Sequence, residues 1–546
     1  MRKKRILFIS EASYLNTGYA TYGREVIKRL HQTGKYDIAE FSIYGSVDHK
    51  DRSSIPWKNY PNMPSPNSPE QAQTYGSDGA NQFGKWRFER VCVDFKPDII
   101  CDIRDWWMSS FIQHSPLRKY FNWIYMPTVD ASIQNEEWVD TFSSADTILT
   151  YSDWAAELLK NSDPNMNVKG SATPSASEEF KPVPDKNAHK QKMGINPDWK
   201  IIGTVMRNQR RKLFPELFEA FGKYLKETGE KNTYLYCHTS YPDNGWDLPK
   251  SMMEHEVMSR VLFTYVCTSC EKVSYSHFSD TVQPCEHCGD FAAKLSSVSS
   301  GVTRSVLSDI YNLFDVYIQP ANSEGFGIPL VEAAACGVPV MATDYSAMET
   351  EVRKLSGYPI KLRAKHLEME TGCHRALLDL DHTVELWKEL LDKPQPLRVQ
   401  DGIKTRKAFE DNYGWNQTAK VWEREIDQLE MTDWTVEPQF ANPESRPSEE
   451  MNNKEFLDYL INVVVNEPSY VNTYPFNKLL RDLNFGMFKN NPGGYFYGEL
   501  SLFNREEYKP LTRDQITNMF VEKAKNKNFW EHARIGNVQF PQEDWI

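Results

Sequence analysis

No stretch of this 546-residue chain is apolar enough for a membrane-spanning helix, which needs about 18 or more consecutive apolar residues. Runs such as 201–206 and 463–465 stop far short of that. The opening MRKKRILFIS puts basic residues before apolar ones, as a secretion signal does. Glu11 ends the run too early, because a signal core takes roughly 7–15 apolar residues. A first β-strand fits better, and the expected localisation is cytoplasmic. Basic residues are also short: 63 Lys and Arg face 75 Asp and Glu, for a net charge of −12. No overall field draws such a chain to nucleic acid or anionic lipid; only a local basic patch could do so. Glycine (27) and proline (31) stay at ordinary levels and hydrophobic residues reach 40%, which excludes collagen, a wholly disordered chain and a coiled coil. Cysteine is scarce, at nine. Cys92, Cys101, Cys237, Cys336 and Cys373 are scattered in apolar stretches, and the other four are closely paired. That pattern indicates a reducing compartment and one metal site, not a disulfide framework.

What is present is repeated strand–helix alternation. KRILFIS, YDIAEFSIYG, PDIICDI, NWIYMP and DTILTYS read as short apolar strands, with TYGREVIKRLHQTG and SDWAAELLKNS as helices between them. This predicts a parallel sheet covered by helices over 1–185. A polar connector, 181–198, follows, and alternation resumes over 196–402 with KIIGTVM, NTYLYCH, VLFTYV, VYIQPA and VPVMATD. The expected fold class is therefore α/β: two tandem Rossmann-like domains with ligands outside the carboxyl ends of the strands, in a cleft between them. Residues 403–431 read as closing helices that pack back on the first domain. TVEPQFANPESRPSEE (435–450) reads as a linker, and 451–546 as a mostly helical extension.

Three segments at predicted strand ends carry the chemistry. SEGFGIPLVE (323–332) joins a strand to a helix; Gly325 and Gly327 allow close backbone approach to a ligand, and the helix start suits a pyrophosphate. The plain alternative is a connection with incidental glutamates. GTVMRNQRRK (203–212) ends a strand in a basic cluster, where fixed cations stabilise charge on a departing diphosphate, or merely solvate a helix start. NTGYATYGRE (16–25) places Gly18 directly after the first strand.

Together, and in this order, these motifs resemble retaining glycosyltransferases of the two-Rossmann GT-B fold, specifically the large family 4 group, over about residues 1–430. The resemblance implies a nucleotide-sugar donor, UDP- or GDP-linked, on the second domain and an acceptor on the first. It places Glu332 on the ribose hydroxyls and Glu324 beside the donor sugar. The amides of Gly325, Phe326, Gly327 and Ile328 would lie on sugar and phosphate, Arg207 and Lys212 on the diphosphate, and Gly18 over the phosphates. Arg210 and Arg211 are additional to the family pattern. Asp130 stands where many members carry histidine. It can act on a sugar hydroxyl or on oxocarbenium charge, or simply cap a turn. Asp105 and Trp106 are candidates for acceptor contact, with core packing as the alternative for the Trp106–Trp107 pair. The long extension after the linker, taken with the paired cysteines 267, 270, 285 and 288, also resembles glycosyltransferases carried by large tailed bacteriophages, which adds a modified DNA base to glycans and small molecules as acceptors.

A separate motif, Cys267-x2-Cys270 and Cys285-x2-Cys288, has zinc-ribbon spacing within 263–296. Four thiolates leave no open coordination position, so the expected zinc is structural, and no catalytic metal is expected. Asp379-Leu-Asp381 mimics a metal-binding D-x-D but sits among helical residues away from the nucleotide motifs. Two rival readings remain: a nucleotide-sugar-binding or scaffold protein that does not turn over, and a zinc-ribbon nucleic-acid adaptor. Neither donor, acceptor nor oligomeric state is legible.

Overall fold

A computed structural model describes residues 2–15, 17–115, 117–297 and 301–434. The expected linker at 435–450 and helical extension at 451–546 lie outside the described residues. The first unit is a seven-stranded parallel sheet: β1 (Arg5–Glu11), β2 (Asp37–Ile43), β3 (Lys58–Pro61), β4 (Ile99–Ile103), β5 (Asn122–Met126), β6 (Thr147–Thr150) and β7 (Val168–Ser171). Their order is β3-β2-β1-β4-β5-β6-β7. The interior of β1 and all of β4 are buried on both faces, as a sheet covered by helices on each side requires. The chain reverses direction across the sheet between β1 and β4, so a crevice opens at their carboxyl ends.

The second unit has β8 (Lys200–Val205), β9 (Thr233–His238), β10 (Val261–Cys267), β11 (Val273–Ser276), β12 (Gln283–Pro284), β13 (Phe291–Leu295), β14 (Val316–Gln319), β15 (Val340–Thr343) and β16 (Tyr358–Ile360). The sheet order is β12-β13-β10-β9-β8-β14-β15-β16, with β11 also on β10. Strands β8 to β10 and β14 to β16 pair in parallel, and the reversal falls between β8 and β14. Beyond Phe263, β10 instead pairs antiparallel with β11 and β13, so the cysteine insert grows out of a core strand.

The polar connector holds a short helix, Lys186–Lys192, because Asp185 caps it by accepting from the Asn187 and Ala188 amides. A hairpin that sequence patterning does not announce, β17 (Leu362–Leu367) and β18 (His374–Leu378), follows β16. Helix Gln395–Asn412 begins eight residues before the expected closing segment, with Pro396 in its first turn. The last helix among the described residues, Trp415–Gln428, returns to the first unit: Trp422 Nε1 donates to the Tyr22 hydroxyl at 2.9 Å, and Thr418 donates to the Thr173 carbonyl.

Candidate active site

The loop after β14 sets Glu324 in the interior, only 5% exposed. Its backbone amide donates to Ser346 Oγ at 2.9 Å, and Gln319, at the end of β14, donates to its carboxylate at 2.9 Å. Lys212, from the loop after β8, makes direct contact with the same carboxylate, and Arg211 approaches it at 3.5 Å. A buried carboxylate is tolerated when opposite charge and hydrogen bonds satisfy it, and both are supplied here. Burial and the adjacent Arg211 pull the Lys212 ammonium below the ordinary lysine range, with Asp130 opposing them. The Arg211 guanidinium is lowered by burial and by Arg375 and raised by Asp130, Tyr19 and Asp105. It therefore stands among groups from both units.

Arg207 is placed differently. It is about half exposed and holds Asp243 with two bonds of 2.7 and 2.8 Å. Asp243, which also accepts from Ser240 and the Asn244 amide, is driven well below the usual carboxylate range, chiefly by Arg207.

Facing this loop, the segment after β5 brings Thr128 and Asp130. Asp130 pairs with Arg375 of β18 at 2.9 Å and accepts from Ser323 at 3.3 Å. Arg375, 7% exposed, also donates to Ser323 Oγ at 2.6 Å and to Glu368 at 2.9 Å. Asp105, at the start of the helix after β4, is bonded to Tyr19 and Thr128; burial pushes its carboxyl up to about 6. Trp106 lies against Trp138 with centroids 5.7 Å apart, which leaves Trp107, 48% exposed, as the open ring of the pair. Asp102 and Arg104 form a fully buried bidentate pair and are held in the core.

Gly18 is the first residue of helix Gly18–Gln32, capped by Thr17. A methyl on it would stand 3.9 Å from Ile328 Cδ1, so the two loops meet across the cleft. Gly327 has φ +92°, a conformation that favours glycine, and it starts helix Ile328–Ala335. Phe326 is buried beneath that turn, with its ring 6.4 Å from Tyr413. Glu332, in the same helix, accepts from the Tyr311 hydroxyl at 2.9 Å; burial pushes its carboxyl up to about 7. Asp379 caps helix Leu380–Leu391, accepting from the His382 amide, and Asp381 pairs with Lys223. The D-x-D is thus a helix start.

Sequence reading set Arg211 aside as surplus and passed over Arg375, Ser323, Tyr19, Thr128 and Ser346. Arg211 could have been found as a cation one residue from Lys212. Arg375 carries no motif, and only the β17–β18 pairing brings it to Asp130.

In the insert, Cys267, Cys270, Cys285 and Cys288 place their sulfurs within 4.8 Å of one another. Cys267–Cys288 and Cys270–Cys285 are each 3.7 Å apart. Zn–S bonds of about 2.3 Å in a tetrahedron require sulfurs about 3.8 Å apart, so the donor set fits zinc. Each pair sits on a matching turn: Glu271 N donates to Cys267 O at 2.9 Å, and Gly289 N to Cys285 O at 2.8 Å. Glu271 (φ 59°) and Gly289 (φ 81°) are both left-handed.

These features define the class of fold as GT-B: two Rossmann-like units with loops converging from the carboxyl ends of both sheets. Residues 297–364, which hold Glu324 and Glu332, match the family model described as Glycosyl transferases group 1. A D-inositol 3-phosphate glycosyltransferase from Kineococcus radiotolerans is 24% identical over 255 residues, 44% of this chain and 47% of that protein. The chain thus spans about half the length of that curated relative. Sucrose-phosphate synthase from Thermosynechococcus elongatus superposes with a TM-score of 0.57 at 15% identity, over 78% of this chain and 99% of that one. Anabaena HepE, in complex with UDP and glucose, gives 0.53 at 11% identity over 78% and 100%. Among the described residues, no helix is long and apolar enough to cross a membrane.

Proposed function

We propose that the chain is a retaining glycosyltransferase that moves a sugar from a nucleoside-diphosphate sugar to an acceptor hydroxyl. The observation that carries this reading is the convergence of Lys212 and Arg211 on Glu324, which itself lies inside the segment that matches the family model, with Gly18 of the first unit against Ile328 four residues on. Glu332 accepts from the ribose hydroxyls, and Glu324 lies beside the donor sugar with the amides of Gly325 to Ile328 on sugar and phosphate. Lys212 and Arg211 take the charge that grows on the departing diphosphate, which is greater in the transition state than in the bound donor. Arg207 joins them only by leaving Asp243. The acceptor oxygen attacks from the leaving-group side and passes its proton to the donor phosphate. Asp130, already paired with Arg375, positions a sugar hydroxyl, and Asp105 with the Trp106–Trp107 pair lines the acceptor side.

The four thiolates of Cys267, Cys270, Cys285 and Cys288 hold a zinc ion that closes the insert. With its shell filled it supplies folding energy and no open position for substrate. The donor nucleotide is UDP or GDP, and the acceptor is a glycan or small molecule in preference to a modified DNA base, given the net charge of −12. The test is calorimetry with UDP and GDP, then turnover of the corresponding sugars with glycan and hydroxymethylated-DNA acceptors. Binding without transfer or donor hydrolysis would leave the inactive scaffold as the better account.

A further inference from the structure

At the opposite end of the second sheet lies a cavity of about 740 Å³. Its walls include Lys200 at the start of β8, Asp315 just before β14 and Pro339 just before β15. Lys212 and Glu324 lie beyond the far ends of β8 and β14. A strand of six residues spans about 20 Å, so this cavity is no part of the cleft described above. Its volume falls in the range of small-molecule sites, about 300–1,000 Å³, far more than a simple ion fills.

The lining has two chemical halves. Pro182, Trp199, Pro339, Val399 and Ile403 give an apolar wall. Val399 and Ile403 are 54% and 64% exposed on helix Gln395–Asn412, whose buried residues are Gly402, Thr405, Ala408 and Phe409. The other half is cationic: Lys186, Lys190, Lys200, Arg398, Arg406 and Lys407, against the carboxylates Asp198, Asp315 and Glu410. This positive excess occurs on a chain whose net charge is −12. Four of the six cations are already committed: Lys190 to Asp315 at 2.7 Å, Lys200 to Glu230 at 3.2 Å, Arg406 to Glu410 at 2.7 Å and Lys407 to Asp411 at 3.0 Å. Lys186 donates to the Phe314 carbonyl, and Arg398 to the Leu391 and Lys393 carbonyls at 3.2 and 3.0 Å. Among the described residues neither touches a carboxylate. Burial, with Lys190 and Arg398, pulls the Lys186 ammonium down to about 8 against Asp315 and Cys336. Two neighbouring cations satisfied only by carbonyl oxygens, one of them desolvated, favour an incoming anion.

The walls also come from both connections between the units. Residues 182–199 lead from the first unit to β8, and helix Gln395–Asn412 leads back. Near the cavity both come against Gly337 of the second unit. A methyl on Gly402 would meet the Gly337 carbonyl at 2.4 Å, and one on Gly337 would meet Pro182 at 3.2 Å. Arg406 donates to carbonyls on both sides, Phe180 at 3.3 Å and Ala335.

We propose that this cavity is a second ligand site, for a small organic phosphate ester whose phosphate lies between Lys186 and Arg398 and whose apolar body lies against Trp199, Val399 and Ile403. Such a ligand bridges the two connections and restrains the joint between the units. The proposal does not depend on glycosyl transfer and is tested without it.

The probe is 2-naphthyl phosphate, titrated into the full chain by calorimetry, with 2-naphthol and inorganic phosphate as separate arms. The expected result is one saturable site for the ester, with each half-ligand at least tenfold weaker. Lys186→Met and Arg398→Met should each weaken the ester tenfold or more. Val399→Trp, at a half-exposed position that tolerates bulk, should abolish binding with an unchanged melting temperature, which guards against loss of fold in the other two. Lys212→Met should leave binding as it is. In hydrogen exchange the bound ester should protect 186–192 and 395–412 and leave 323–332 unchanged. Absence of saturable heat at millimolar ester, protection at 323–332, or binding that falls in Lys212→Met while surviving Arg398→Met and Val399→Trp would each overturn the proposal.

Discussion

Gly325→Ala is the substitution whose outcome the geometry defines most closely. The added methyl would stand 2.5 Å from Thr128 Cγ2, a side chain of the opposite unit. Ordinary carbon contacts begin near 3.4 Å, so something must give by about 1 Å. Thr128 is not free to turn, because its hydroxyl is bonded to Tyr19 at 2.5 Å and to Asp105. The methyl therefore wedges the units apart or breaks that cluster. Overpacking of this kind costs about 1–3 kcal/mol. At about 1.4 kcal/mol per tenfold, the closed arrangement becomes roughly 5- to 150-fold scarcer. The cost is borne only where the units meet, so kcat/KM should fall by that factor while the melting temperature holds. A methyl could also obstruct the donor directly, and Thr128→Ser separates the two causes. It removes Cγ2 and keeps the hydroxyl, so the Gly325→Ala/Thr128→Ser double variant should recover most of the loss. A single variant with unchanged kcat/KM, or a double variant as impaired as the single, would refute the reasoning.

Four further outcomes follow from the site. Glu332 titrates near 7 through burial, and its ionised form is the better acceptor of ribose hydroxyls. Affinity for the free nucleoside diphosphate should therefore rise from pH 6 to pH 8, and Glu332→Gln should flatten the rise; parallel slopes in calorimetry would remove Glu332 from the ribose. Lys212→Ala and Arg211→Ala should each lower kcat by about 10²–10³ and be non-additive in the double variant. Arg207→Ala, already held by Asp243 at 2.7 Å, should cost less than Arg211→Ala, and the reverse ranking in steady-state kinetics would show that Arg207 is the working cation. Cys267→Ser or Cys288→Ser should lose one equivalent of zinc by elemental analysis and loosen the insert strands β11–β13 while the parallel strands of both units stay folded; metal-free wild-type protein purified without chelator would end that reading.

The alternation of strands and helices was legible because a covered parallel strand must be apolar on both faces, and KRILFIS and PDIICDI are. The short strands β3, β7 and β16 were not, being three or four residues each: β3 and β7 carry exposed lysines, β7 a glycine and β16 a proline. Within the site, the segments holding Glu324, Glu332 and Lys212 stood out as glycine- and charge-rich strand ends, while the roles expected of these residues came from the family resemblance. The neighbours of Glu324 were not. Gln319 looks like one polar residue at the end of an apolar strand, yet it donates to Glu324. Arg207 and Arg211 are equally plausible by type. Asp243, itself bonded to Ser240, holds the first outward, and Glu324 draws the second inward.

The β17–β18 hairpin explains why the two halves of the site cannot be assigned separately. His374 donates its amide to the Ser132 carbonyl at 3.0 Å, Asn135 donates to the Thr371 carbonyl at 3.0 Å, and Tyr345 bonds both Ser132 and the His374 carbonyl. These bonds clasp the loop after β5, the loop that carries Asp130. Arg375 then fixes Asp130 to Ser323, the residue before Glu324. Removing Arg375 would break the Asp130 ion pair and leave Ser323 without a donor, and Asp130 would be held toward the Glu324 loop only by Ser323. Arg375 is accordingly a positioning residue. Arg375→Lys keeps the charge but cannot span Asp130, Ser323 and Glu368 together, since a lysine presents a point charge and not a planar fork. It should lower kcat with little change in KM for the donor, and Arg375→Met should lower kcat further and raise KM. Equal losses in the two variants would mean that the guanidinium serves only as a counter-charge, and that Asp130 is placed by the hairpin backbone alone.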